Sequence, residues 1–264
     1  MSDVPSFLGF PPPLLGPEPV RLAVPASGAG FFVLEKLAGV VWERSKYEEG
    51  AGVCDAVRAQ LAQEKPEMVR CGVSHPVSVW PLEKELAGAG LLAERGEKAE
   101  RWRNAFGSEL LEFSFELLAE GEAGAEEMAC ELPVATHLSE ARALISQGTG
   151  KKSRTVFTRR ARCGRWSWWE ARTNFPRWHQ VRLHAAELGL RIVGETLYAR
   201  GKDILLTELL PHRRLNKGEA KPLTEGLCLR LSTVDARRIG EAVFAAPEPE
   251  RWRVLRKRLR QHAG

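Results

Sequence analysis

The chain has 264 residues, 44% of them hydrophobic and 28% charged, which suffices for a substantial core, and a globular protein is expected. Net charge is +5, but residues 1–140 hold 12 Lys+Arg against 23 Asp+Glu (−11) and the remainder 27 against 11 (+16), so any polyanion is expected on the C-terminal half. No run approaches the roughly 20 apolar residues of a spanning helix, and the N-terminus, with Asp3 and several prolines, does not resemble a signal peptide. A cytoplasmic, membrane-free, monomeric protein is the expectation.

Residues 1–20 are Pro-rich and are expected to form an irregular extension before a single domain, residues 21–264. RLAVPASGAGFFVLEKLAGVVWE offers two apolar strands around a Ser-Gly-Ala-Gly turn, a hairpin pattern. CDAVRAQLAQ places Cys54, Val57 and Leu61 at helical spacing, and Glu97–Phe106 is a second helical segment. Between them, VWPLEKELAGAGLLA sets the charged triplet Glu83-Lys84-Glu85 before a small-residue run. In ELLEFSFELLAEG, Leu111, Phe113, Phe115 and Leu117 alternate with polar residues, the period of a half-buried strand.

KKSRTVFTRRARCGRWSWWEARTN reads as a basic, aromatic-rich hairpin turning at Cys163-Gly164-Arg165. Its tryptophans, Trp166, Trp168 and Trp169, suit base stacking or, more commonly for tryptophan in strands, the core. RWHQVRLHAAELG reads as a helix stopped by Gly189, and Ile204–Leu210 and Leu227–Leu231 as strands. A closing helix puts Trp252, Leu255 and Leu259 on one face and Arg251, Arg253, Lys257 and Arg258 around the others. Strands mixed irregularly with a few helices argue for an α+β fold.

Several site chemistries are excluded. The five cysteines, Cys54, Cys71, Cys130, Cys163 and Cys228, are never closer than 17 positions, which favours reduced thiols over disulfides or a CxxC metal site. His179 and His184 are five apart, not the i, i+4 spacing of a zinc-protease helix, so no metal is expected. GTGKKS, Gly148–Ser153, lacks the upstream glycine and the Gly-Lys-Ser order of a phosphate loop and reads as a basic turn.

Two segments together resemble the RluA-like pseudouridine synthase family. VWPLEKELAGAGLLA sits where the family carries His-Arg-Leu-Asp-x-x-Thr-Ser-Gly and an apolar strand. RWHQVRLHAAELGLRIVGETLYA is similar to the family's Gly-Arg-Thr-His-Gln-Ile-Arg-x-His and the following Ile-x-Gly-Asp-x-x-Tyr. FFVLEKLAGVV, similar to an early Lys-Pro-x-Gly, and the final Ala-Pro-Glu-Pro with its helix add weaker support, so the resemblance covers about residues 28–260.

The resemblance implies an α+β domain with a long, bent, mostly antiparallel sheet, flanking helices and an RNA-binding cleft. It implies cofactor-free isomerisation of uridine to pseudouridine in structured RNA, ribosomal or transfer: an aspartate acts on the flipped uridine, the glycosidic bond breaks, and the base rotates and rejoins through carbon. Glu83 falls at that aspartate, Pro81 at an arginine that helps displace the base, Trp80 at the signature histidine, and Leu86 and Ala87 at the Thr-Ser pair. Phe115 falls at a tyrosine packed against the uracil, and Arg182 at the arginine paired with the catalytic carboxylate; His179, Gln180, His184, Gly194 and Tyr198 also match. Lys151, Lys152, Arg154, Arg159, Arg160, Arg177, His179 and Gln180 are the expected RNA contacts. Three readings stay open: an active synthase using Glu83, an RNA-binding pseudoenzyme of the same fold, and a protein-interaction scaffold.

Overall fold

The structure, a computed structural model, describes residues 7–10, 20–23, 29–80, 82–121, 124–209 and 222–262. Pro81 lies outside the described residues. The chain divides into two compact units: residues 1–113, 174–178 and 233–246 form the first, and residues 114–173, 179–232 and 247–264 the second.

In chain order the first unit holds β1 (Phe7–Leu8), β2 (Val20–Ala23), β3 (Phe31–Lys36), α1 (Val53–Ala62), α2 (Pro66–Val69), β4 (Pro76–Ser78), β5 (Ala87–Glu94) and α3 (Glu97–Asn104). Strand β6 (Glu112–Glu120) runs from the first unit into the second, followed by β7 (Glu127–Cys130), β8 (Val134–Thr136), β9 (Ala143–Ile145), β10 (Thr155–Cys163) and β11 (Trp166–Thr173). Then come α4 (Gln180–Glu187), β12 (Arg191–Ile192), α5 (Leu206–Leu209) and β13 (Leu229–Asp235), which re-enters the first unit; β14 (Val243–Ala245) belongs there, and α6 (Glu250–His262) to the second. The architecture is α+β, with a large, mostly antiparallel sheet and few helices.

In the first unit the strand order is β1-β2-β3-β5, with β4 also on β5. The expected hairpin forms as β2 against β3, Leu22 opposite Leu34. The Pro-rich extension is not irregular where it is described. Phe7–Leu8 pair with Val20–Arg21, Leu8 and Phe10 are buried, and the Gln60 amide donates to the Gly9 carbonyl at 2.7 Å.

Strand β5 explains the small-residue run after the Glu83 segment. Trp42 is fully buried against it, its indole N–H donating to Ser78 Oγ at 2.8 Å. A Cβ added at Gly90 would sit 2.3 Å from the Trp42 ring, so glycine there is a packing requirement.

In the second unit the order is β6-β11-β10-β7, with β12 antiparallel to β6 and β8 paired to β9 in a separate two-stranded sheet. The basic hairpin forms as expected, Cys163 opposite Trp166, with a register shift between Arg159 and Ala161 that lets an extra residue bulge. All three tryptophans of β11 are buried, so they are core and offer no stacking surface. Trp168 packs on Trp252 of α6 with ring centroids 5.4 Å apart, and the Arg256 guanidinium lies 3.9 Å from the Trp168 ring centre. Trp252, Leu255 and Leu259 bury the apolar face of α6 as its spacing predicts, each contributing about 1.5–3 kcal/mol.

One element differs from its sequence pattern. Ile204–Leu210 reads as a strand; Leu210 lies outside the described residues, and among the described ones Leu205 alone makes an isolated bridge, to Pro222, while Leu206–Leu209 form a helical turn. The Glu208 carboxylate accepts the Leu205 N–H at 2.8 Å, capping that turn and overriding a run too short for periodicity to decide.

Replacing Gly90 by alanine is expected to displace Trp42 and cost about 1–3 kcal/mol; urea unfolding of the variant against the parent measures it.

Candidate active site

Glu83 sits on the loop between β4 and β5 and is 9% exposed. The loop is fastened on several sides within its own unit. The Trp80 indole, itself buried, donates to the Ala89 carbonyl at 3.0 Å and packs edge-on against Phe113 and Trp102. Glu48 accepts the Lys84 N–H at 2.9 Å, Gly39 N–H donates to the Lys84 carbonyl at 2.8 Å, and Leu86 N–H donates to the Glu83 carbonyl at 3.2 Å.

Beneath the loop lies Lys36, the last residue of β3, with no exposed surface. Its ammonium donates to the carbonyls of Leu37, Lys84 and Leu86 at 3.1, 3.0 and 2.5 Å. An ammonium has three protons, and three carbonyls receive them. Burial pushes Lys36 from 10.5 down to about 7, against the pull of Glu48, Glu85 and Glu83. Burial likewise pushes Glu48 upward, with the Lys84 amide opposing. Neither Lys36 nor Glu48 is a candidate from spacing alone. Lys36 does stand at the lysine of the segment similar to Lys-Pro-x-Gly, and that was the available signal.

In the second unit, Arg182 on α4 is buried and faces Glu195, also buried. Arg182 Nε and Nη2 donate to the two Glu195 oxygens at 2.6 and 3.0 Å, a fork-on-carboxylate pair, and Leu197 N–H adds a third donor at 2.7 Å. Gly194 makes this placement possible. Its φ is +76°, and a Cβ there would lie 2.0 Å from the Gly226 carbonyl oxygen.

Arg182 Nη1 lies 3.1 Å from His179 Nε2, and His179 Nδ1 2.7 Å from the Tyr198 hydroxyl, which also accepts the Ala143 N–H at 2.7 Å. Since the guanidinium can only donate, Nε2 is the acceptor and the proton resides on Nδ1. Burial, with Arg182 adding to it, holds His179 down at about 3, so the ring stays neutral across physiological pH. His179 reaches this position with φ of +58°, a left-handed residue just before α4, which begins at Gln180 rather than Arg177. Glu195 is the partner that sequence reasoning missed, although it stands at the aspartate of the matched Ile-x-Gly-Asp segment.

Phe115, on β6, is buried with its ring present and no hydroxyl. Among the expected RNA contacts, Lys151, Lys152, Arg154 and Arg160 are exposed, and Arg177 and Arg159 half-buried. Arg154 pairs with Glu131 at 2.8 Å, Arg159 with Glu126 and Arg160 with Glu170, so phosphate would have to displace neighbouring carboxylates. His179 and Gln180 lie inside instead. The Gln180 amide nitrogen is within 3.0–3.1 Å of Thr155 Oγ1, Thr173 Oγ1 and the Arg154 carbonyl, and His184 bridges Thr155 Oγ1 and the Leu132 carbonyl, each at 2.9 Å. These groups hold α4 on the hairpin below it.

The fold is similar to that of two human proteins named for an RNA pseudouridylate synthase domain. The human RNA pseudouridylate synthase domain containing 4 protein superposes with a TM-score of 0.67 over 90% of this chain and 93% of that one, at 13% identity. The human RNA pseudouridylate synthase domain containing 1 protein gives 0.54 over 87% and 84%, at 18% identity. No family model and no curated protein matches the sequence.

Two outcomes test the supports of the site. Between about pH 7 and 10.5 only the unfolded chain keeps the Lys36 proton, so this residue makes stability rise with pH across that window. Relative to Lys36→Met, the parent is expected to gain up to about 1.4 kcal/mol per pH unit there, read from denaturation at stepped pH. Glu195→Ala leaves a buried guanidinium without its carboxylate and is expected to cost about 3–5 kcal/mol in the same assay.

Proposed function

We propose that the protein isomerises uridine to pseudouridine in structured RNA, ribosomal or transfer, with Glu83 as the acting carboxylate. The observation that carries this reading is the anchoring of the Glu83 loop. Its backbone is tied by Lys36, by Glu48 and by the Trp80 indole, which presets the carboxylate rather than leaving it on a mobile surface turn. The fold supports it, being that of pseudouridine synthases over most of the chain.

The reaction is an isomerisation and needs no redox partner or cofactor. The bond from the ribose C1′ to N1 breaks, a bond from C1′ to C5 forms, and the proton that leaves C5 is balanced by one gained at nitrogen. A carboxylate serves as nucleophile at the sugar or as the base that takes the C5 proton. By the resemblance, Phe115 stands at the ring packed against the uracil and Arg182 at the arginine paired with the carboxylate; within its own unit Arg182 is oriented by Glu195. Extruding the uridine costs a few kcal/mol of unstacking, which contacts to the surrounding RNA must offset.

A second reading, an RNA-binding protein of this fold without isomerase activity, is favoured by the substitutions at the reacting positions. Glutamate in place of aspartate moves the carboxylate by about 1 Å, a displacement that can cost on the order of 100-fold in rate. Phe115 has no hydroxyl to offer.

Tritium release from RNA labelled at uridine C5, together with site-resolved pseudouridine mapping of cells carrying the intact gene, a deletion or Glu83→Ala, separates the two. The synthase reading expects a uridine modified only when Glu83 is intact, and a Glu83→Asp variant at least as fast as the parent. Identical maps in all three strains, with the protein expressed, establish the binding reading instead.

A further inference from the structure

The first unit carries a second group of residues beside the Glu83 loop that the isomerisation does not use. Trp178 and Tyr47 stack with ring centroids 5.3 Å apart and planes 9° from parallel, and both rings are half-exposed. The Lys46 ammonium lies 5.1 Å from the Tyr47 ring centre. Nearby in sequence, Phe175 is 39% exposed and has the Arg177 guanidinium 4.5 Å over its face. Rings alternate with cations along the Phe175–Trp178 segment and its partner loop.

Trp178 also lines a cavity of about 250 Å³ together with Val79, Leu82, Arg44 and Arg103. Val79 and Leu82 belong to the loop that carries Glu83, and Arg103 donates to the Ser78 carbonyl at 3.0 Å. Two carboxylates share the lining and both are engaged: Glu43 by Arg58 at 2.9 Å, and Glu48 by the Lys84 amide at 2.9 Å. The volume falls below the roughly 300–1,000 Å³ of sites for drug-sized ligands. It suits one planar base. Trp178 stands where the matched segment of the resemblance has threonine, so this ring is a feature of this chain.

We infer that this aromatic and cationic surface is a single-stranded RNA subsite: a base flanking the target uridine packs against Trp178 in the cavity, and its phosphates meet Arg44, Arg103 and Lys46. Stacking on exposed rings is sequence-tolerant because every base has a π-face, while the cations track the backbone. The assignment rests on the reading of the protein as acting on RNA. It adds that the nucleotides beside the target are held as unpaired strand, so the uridine is drawn from a loop, bulge or opened stem rather than from an intact duplex.

The test is binding of short fluorescein-labelled oligouridylate and of an abasic oligonucleotide of the same length and charge, to the parent, Trp178→Ala, Trp178→Phe and Tyr47→Ala. The parent should prefer the base-bearing strand, and Trp178→Ala should lose roughly 5- to 100-fold on it while binding the abasic strand as the parent does. Trp178→Phe, which keeps a ring, should retain most of the affinity even if the alanine variant folds poorly. Equal losses on both oligonucleotides, or an unchanged Trp178→Ala, overturn the subsite while leaving the RNA reading standing. A parent that binds neither oligonucleotide nor any folded cellular RNA overturns both.

Discussion

The first unit is organised around one buried lysine. Lys36 ends a strand inside the sheet and directs its ammonium at three backbone carbonyls, two of them in the loop that bears Glu83. A buried amine without partners, charged or neutral, is costly for a core to hold. Satisfied by carbonyls, it becomes a constraint, because the carbonyls must converge to receive it. The loop therefore has a defined backbone path although it has no regular secondary structure, and the side chains between its anchors inherit that definition.

The second unit solves a similar problem by pairing. Arg182 is held by both oxygens of Glu195, which in turn depends on a glycine that no other residue can replace without striking the Gly226 carbonyl. Around this pair the polar atoms are accounted for in one direction: guanidinium to imidazole, imidazole to phenol, amide to phenol. This chain departs from the family it resembles at Glu83 and Phe115, which the resemblance assigns to the reacting base, and also at Trp80, Leu86, Ala87 and Trp178. The supporting residues Lys36, Arg182, His179 and Tyr198 keep their types, and Glu195 keeps its charge.

Much of the fold was legible in the sequence wherever periodicity ran long enough. The helix at Val53–Ala62, the basic hairpin, and the apolar face of the last helix all follow from spacing. The hairpin's tryptophans were ambiguous because burial depends on what packs against them, and α6 is remote in sequence. Ile204–Leu210 misleads because seven apolar-rich residues fit strand and helix alike, and a single carboxylate cap decided between them. The reacting positions emerged from motif similarity. Of their supports, Arg182, His179 and Tyr198 emerged in the same way, whereas the contacts of Lys36 and Glu195 did not, because a lysine reaching a carbonyl 50 residues away, or an arginine answered by a glutamate across a glycine turn, leaves no local pattern.

The cysteines have a practical consequence. All five are buried and free, and burial raises the thiols of Cys54, Cys71, Cys130, Cys163 and Cys228 above their ordinary range. Thiolate is the reactive form, so at neutral pH the folded chain is expected to react slowly with maleimides and mild oxidants. A cysteine introduced at any exposed position becomes the preferred labelling site without removing the native ones. The same slowness makes thiol reactivity a direct clock for local opening of the core, reported from five separate places in the chain.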